Sequence, residues 1–306
     1  MAYSNSAIRN NMLNSPYSHF VASRQGLYAI NESSWTRLAE GQYYGITLRD
    51  NILFAFEAGD RVDAPTQQGR IVAFQLTDND ISSSECLVEG LDNGCHQIDF
   101  IGNRLYVVDT YQQRIVEFSP CFQHFDYRYP LPRAEFNAWT KGYAHCNSLL
   151  GFGEHILLVL HDGGKHTKRP SRLVFCNQNW QIIRQLLLPG LGCHNIVILE
   201  DGTILSCGSL SGTLINAKRT IVKLDEMMTR GLSVDQDSIV VGASMFAIRR
   251  NRKEIPGRVH FLSRNYVRRA TLELPAAPTD IRRIDGRDYS LSNYASSLPM
   301  TQSILA

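Results

Sequence analysis

The chain of 306 residues has no run of about 18 apolar residues, so no helix able to cross a bilayer is expected, and no membrane partner. Its first 20 residues, MAYSNSAIRNNMLNSPYSHF, lack the uninterrupted apolar stretch of a secretory leader. Cysteine is sparse and odd in number, seven in all, with no C-x-x-C pair. That excludes a regular disulfide framework and, with the missing leader, predicts reduced thiols in a cytoplasm. Charge of one sign is lacking too: 31 Lys and Arg against 29 Asp and Glu leave +2, which gives no support to a nucleic-acid scaffold and leaves only local basic patches to consider. No G-x-S-x-G elbow occurs, because GSLSG at 208–212 has its serine one place off, and there is no Walker loop, dinucleotide glycine fingerprint or H-E-x-x-H. Most readily named enzyme classes are thereby excluded. What is present is a 43% hydrophobic, 20% charged composition, with ample apolar surface for a packed core.

A repeat is present as well. GCHQI at 94–98 returns as GCHNI at 192–196, with YAHCN at 143–147 midway, so that His96, His145 and His194 stand 49 residues apart. Aligned on these histidines, the chain reads as a recurring unit of four short β-rich segments divided by Gly, Asn and Asp turns. One unit is CHQIDFIG, NRLYVVDT, RIVEFS and HFDYRYPL. YYGITLRDN, ILFAFEA, GRIVAFQL and SSECLVEG form an earlier one; AHCNSLLGF, HILLVLHD, SRLVFCN and IIRQLLLP a later one. Next come CHNIVILED, TILSCGS, TIVKLDE and a short outer piece, then RGLSVDQD, SIVVGAS, GRVHFLS and YVRRATLEL. The remainder is complementary: PTDIRRIDG near the C-terminus reads as a first strand, while HFVASRQ, GLYAIN and SWTRLAEG near the N-terminus read as strands two to four. Joining them leaves no exposed sheet edge at the seam. The expectation is an all-β, six-bladed β-propeller whose two chain ends share the closing blade, with five or seven blades as alternatives. A single domain spans 1–306, with an N-terminal extension over 1–17 and a polar tail over 287–306.

At RLYVVDTYQQRIVEFSP, residues 104–120, the chain resembles the NHL and SMP-30-like group of β-propellers, whose repeat runs aliphatic-Tyr-Val-x-Asp-Thr, a short turn, then Arg-Ile-x-x-Phe. The resemblance implies the fold and not a function, since these scaffolds host lactonases, sugar dehydrogenases and binding modules alike. The acidic metal ligands usual in the SMP-30-like enzymes have no counterpart here.

In a propeller the first strand of each blade is innermost, and the residues opening it crowd one mouth of the central channel. His96, His145 and His194 each open such a strand, on three neighbouring blades. The corresponding positions of the other three fall near Tyr44-Gly45, Arg230-Gly231 and Thr279-Asp280. A packing residue required by the scaffold would recur in all six units; imidazole recurs in three. Three neutral imidazoles suit a divalent transition metal, Fe, Cu, Mn or Zn, and leave coordination positions open on the far side. Arg230 there is placed to hold an anionic group, and Asp280 or Tyr44 to move a proton or orient water. Cys95, Cys146 and Cys193 beside the histidines should point the other way and pack between blades.

The loops from strand two to strand three border the same mouth. His161, Asp162 and His166 would lie there, with Asp109 at the matching place one blade earlier, where it also suits a turn cap. The loops AGDRVDAPTQQG, HDGGKHTKRP, GSLSGTLINAKR and MFAIRRNRKEIP add a cationic rim that includes Lys168, Arg169, Lys218, Arg219, Arg249 and Arg250. Such a rim concentrates anions by its field. The sequence therefore predicts a metal-dependent enzyme acting on a small anionic molecule. Oxidoreductase or oxygenase chemistry is favoured because no glutamate base stands beside the histidines, with lyase or hydrolase chemistry as an alternative. The rival is a binding module that uses the basic rim for an acidic protein, a glycan or nucleic acid. Nucleic acid is the least favoured of these, for no stacking motif accompanies the arginines of 249–287.

Overall fold

The structure, a computed structural model, describes residues 15–60, 64–77, 80–164, 166–225, 228–246 and 254–286. Among them, 24 strands form six four-stranded antiparallel sheets arranged as a ring. The N-terminal strands are β1 (His19–Ser23), β2 (Gly26–Ile30) and β3 (Trp35–Ala39). Blade one is β4 (Tyr43–Arg49), β5 (Ile52–Glu57), β6 (Gly69–Thr77) and β7 (Asp80–Leu91); blade two is β8 (Cys95–Ile101), β9 (Arg104–Asp109), β10 (Arg114–Phe118) and β11 (Phe125–Arg128). Blade three is β12 (Cys146–Phe152), β13 (His155–Leu160), β14 (Arg172–Asn177) and β15 (Ile182–Leu187). Blade four is β16 (His194–Ile198), β17 (Ile204–Gly208), β18 (Thr213–Asn216) and β19 (Thr220–Lys223). Blade five is β20 (Met228–Val234), β21 (Ser238–Ser244), β22 (Gly257–Ser263) and β23 (Arg268–Leu274). The last strand, β24 (Pro278–Arg283), pairs antiparallel with β1, His19 facing Arg283 and Val21 facing Ile281, so the closing blade runs β24-β1-β2-β3. The protein is thus a six-bladed propeller sealed by both ends of its chain.

The inner strands β4, β8, β12, β16, β20 and β24 touch one another in that order, and β24 touches β4, which closes the ring. The burial gradient across each blade follows from this. In blade three the inner strands β12 and β13 are almost wholly buried, whereas β15 alternates half-buried and exposed residues. Six apolar clusters form the core, one at each blade-to-blade interface: Phe56, Cys95 and Phe118 between blades one and two, for example, and Phe175, Cys193 and Ile215 between three and four. Burying a side chain of the Leu or Phe class contributes about 1.5–3 kcal/mol. With the apolar residues spread over six contacts, no single interface carries the fold.

One strand differs from the sequence reading. The third strand of blade four is TLIN at 213–216, and TIVK at 220–223 is its outermost strand. A single 3-10 turn over Ser209–Ser211 and Gly212 in the left-handed region bring the chain round directly after β17. Lys218 and Arg219 therefore occupy the β18–β19 hairpin tip, where the Asn216 side chain accepts from both of their backbone amides, at the end of the blade opposite the histidines. They leave the proposed rim. The tail over 287–306 and residues 1–14 of the N-terminal extension lie outside the described residues, as do Arg249 and Arg250.

Candidate metal centre

All six blades carry one backbone irregularity at one place. The ladder between first and second strands slips between Tyr43 and Ile46, Cys95 and Ile98, Cys146 and Ser148, His194 and Val197, and Thr229 and Leu232. In the closing blade it passes from Asp280 to Pro278, over Thr279. The residues skipped include Tyr44, His96, Gln97, Asn147, Asn195, Arg230 and Thr279. Bulges re-aim side chains and collect beside functional sites, and these turn polar residues toward the axis. His145 precedes β12 and reaches the same place through a left-handed backbone, φ 53°.

One ring nitrogen from each of His96, His145 and His194 lies within 4.8 Å of the others. The hydrogen bonds decide which nitrogen. His194 Nδ1 is 2.8 Å from the Gly192 carbonyl and His96 Nδ1 is 2.8 Å from the Gly94 carbonyl. A carbonyl only accepts, so both Nδ1 atoms carry the proton. His145 Nδ1 is 3.0 Å from the Tyr143 hydroxyl, which donates its own proton to the Thr110 carbonyl at 3.1 Å and so accepts from the imidazole. All three rings therefore hold one tautomer, with the proton on Nδ1 and Nε2 unprotonated. Gly94, Tyr143 and Gly192 each stand two residues before their histidine, so the anchor repeats with the imidazole. Ligand histidines are oriented in this way by a hydrogen bond on the remote nitrogen. An ion 2.0–2.1 Å from each nitrogen in tetrahedral geometry would place the donors about 3.4 Å apart. The observed nitrogens lie within 4.8 Å of one another, so a shared ion would require them to close toward that spacing.

His145 and His194 are buried and His96 is half-buried. Burial, first, and then the charge of Arg230 and the neighbouring imidazoles hold His194 well below the usual histidine range, so it is a neutral donor. Arg230 lies across from it, donating from Nη2 to His194 Nε2 at 2.8 Å. Tyr44 packs its ring 5.8 Å from that of His96. Asp280 is buried: Oδ1 accepts from the Ile281 amide and the Asn195 side chain, and Oδ2 accepts from the Ile46 amide. Burial pushes its carboxyl up to about 7 against the pull of Arg282. Tyr44, His96, His194, Arg230 and Asp280 line one cavity of about 20 Å³ together with Asn147 and Asn195. That is room for about one water or one ion.

The other predicted residues separate. His161 is a neighbour of the cluster, its ring centroid 5.1 Å from that of His145 and 5.7 Å from that of His194. Asp162 is held by Arg172 through two bonds of 2.6 and 2.7 Å, and Asp109 by Arg114 at 2.7 Å; Glu57 and Arg70 make the same pair at 2.8 Å in blade one. These acids fasten the second strand to the third. Asp109 nevertheless has its carboxyl pushed up to about 6 by burial, despite Arg114. His166 is exposed and stacks on Trp139 at 5.9 Å; Lys168 and Arg169 are exposed on the β13–β14 loop. Cys95, Cys146 and Cys193 are buried in the inter-blade clusters, where burial pushes the Cys193 thiol up to about 12. Sequence reasoning missed Tyr143, the anchor of His145, and Asn195, whose Oδ1 accepts from the Gly231 amide at 2.8 Å and so ties blade four to blade five. The 49-residue spacing pointed to Tyr143.

No family model matches the sequence, and no curated protein matches it. Solved structures do. A nidogen/laminin complex aligns over 86% of this chain and 97% of its own, with a TM-score of 0.60 and 7% identity. A protein of unknown function from Bacteroides caccae aligns over 88% and 99%, at 0.55 and 11%. A candidate 6-phosphogluconolactonase from Bacteroides fragilis aligns over 88% and 98%, at 0.52 and 11%. The likeness is one of β-propeller fold. At such identities it carries no activity across.

Proposed function

We propose that this protein is a metal-dependent enzyme, its centre held by Nε2 of His96, His145 and His194, acting on a small anionic substrate by oxidoreductase chemistry with Fe or Cu. The observation that carries the reading is the common tautomer: anchors on Nδ1 from three blades leave Nε2 unprotonated on three clustered rings, one ring nitrogen of each within 4.8 Å of the others. A bound Fe or Cu would supply electron transfer and Lewis acidity at positions left open by three protein ligands. Arg230 would hold the anionic group of the substrate beside the centre, and Tyr44, lining the same cavity, is the phenol available to hold or pass a proton. Redox chemistry is favoured over base-assisted hydrolysis because the one carboxylate among the described lining residues, Asp280, has both oxygens taken up by amide donors.

The test is metal stoichiometry. Protein loaded anaerobically with Fe(II) and desalted should retain about one ion per chain, and His145→Ala almost none. Equal retention by the two would overturn the centre. Oxygen consumption that never depends on the metal would remove the redox half of the reading.

A further inference from the structure

Building on that metal reading, we propose that Arg230 guards the centre: an anionic headgroup entering the neighbouring cavity draws its guanidinium off His194 and admits the metal, so that anion and metal bind with positive coupling. Three observations converge on it. The Arg230 guanidinium donates at 2.8 Å into His194 Nε2, the nitrogen whose lone pair the Gly192 anchor frees for a shared ion. One lone pair cannot accept that proton and bind a cation together. Nor can the guanidinium step aside by losing its proton, since arginine stays charged at any ordinary pH. It has to move, and until it does its charge opposes a second cation at the same place.

The place it can move toward is next door. Arg230, Tyr44 and Thr279 line both the cavity that contains His96 and His194 and a second one, also about 20 Å³, lined by Arg24, Met228 and Ser244. The wall between the two is therefore Arg230 itself with two neighbours. Arg24 is buried and brings a second guanidinium to the outer cavity, whose described lining includes no carboxylate. Two guanidinium groups lining one small cavity, that of Arg24 also donating to the Gln42 side-chain oxygen at 3.4 Å, favour an anion there, and a carboxylate offers the two parallel acceptors that an arginine fork matches. The volume limits the guest. Room for about one water admits a carboxylate headgroup or a small inorganic anion and leaves the rest of a substrate outside.

The consequence is an order of events. The anion engages Arg24 and Arg230, the guanidinium leaves His194, and the three imidazoles close on a metal; by reciprocity, bound metal raises the affinity for the anion by the same factor. An enzyme built this way is loaded fully only when its anionic substrate is at hand.

Zn2+ binding followed by equilibrium dialysis, with and without saturating formate, tests this. Formate should tighten Zn2+ binding to the wild type by about tenfold. Arg230→Met, which keeps the length and removes the charge, should bind Zn2+ about tenfold tighter without formate and show no further response to it. Arg24→Met should lose the formate response, which keeps the test alive if Arg230→Met does not fold. Arg230→Met with wild-type affinity for Zn2+, or a wild type indifferent to formate, overturns the guard while His145→Ala still loses the metal. Zn2+ retained by neither wild type nor Arg230→Met removes the centre, and the guard with it.

Discussion

The half of the channel mouth built by blades two, three and four and the half built by blade five, the closing blade and blade one share a backbone and differ in chemistry. Each inner strand slips its ladder at the same point, so six sets of residues are turned toward the axis. On one side those places or their neighbours hold imidazoles anchored through Nδ1. On the other they hold Arg230, which donates to His194, the Thr279-Asp280 pair, which ties strands together, and Tyr44, whose ring packs beside His96. The bulge belongs to the scaffold, because every blade has it. The imidazoles do not belong to the scaffold, because only three adjacent blades have them there, each fixed in the same tautomer, and this asymmetry is what the proposed centre rests on.

The largest effect expected from breaking this asymmetry is on metal affinity. His96→Ala should weaken Zn2+ binding at least about 100-fold, whereas Tyr44→Phe, at the same point of the opposite half, should change it by less than about threefold. Similar losses from both would mean the two halves are not chemically distinct. Next is the seam where the halves meet. Asn195 accepts from Gly231 and donates to Asp280, and its backbone is left-handed at φ 57°. Asn195→Ala leaves a buried amide without its acceptor and keeps the backbone cost, so urea unfolding should show a loss of about 2 kcal/mol. Gln97→Ala, which removes only the bond to the Leu149 amide, should cost about half as much.

Much of this was legible because propeller blades repeat. Even spacing of β-rich segments gave the blades, and two unmatched ends of the chain gave the shared one. TLIN was not legible: it is four residues long, directly follows a 3-10 turn, and was absorbed into a loop whose length it falsely extended. The three histidines were legible from period alone. Their anchors were less so, since a tyrosine at 143 does for His145 what a backbone carbonyl does for the other two. The contact of Arg230 with His194, 36 residues apart, depends on where two bulges aim two side chains and has no local signature. Beyond the mouth-side position that the sequence gives Asp109 and Asp162, an acid closing one segment and an arginine opening the next, as in Asp109 and Arg114, is the mark of a strand-to-strand ion pair.

Smaller effects sharpen the comparison within the histidine half. Tyr143→Phe removes the acceptor from His145 Nδ1 and should weaken Zn2+ binding about tenfold, by loosening the ring and its tautomer. Ser209→Ala should do less, about twofold, because His194 Nδ1 keeps the Gly192 carbonyl.

The smallest effect is on stability and is read against pH in metal-free protein. His194 has its folded pKa held well below the ordinary value near 6.5 by burial and by Arg230, so the folded state binds fewer protons there than the unfolded chain does. Stability from this residue is then fully present above the unfolded value and is lost as pH falls below it. His194→Gln has nothing to titrate at that position. The signed difference in melting temperature, wild type minus variant, should therefore fall steadily as the pH is lowered from 7.5 toward 5, whatever its value at the start. A signed difference that stays constant or rises would mean that His194 accepts a proton in the folded protein at least as readily as in the unfolded chain, in which case its ring is not the neutral group that sets this half of the mouth apart.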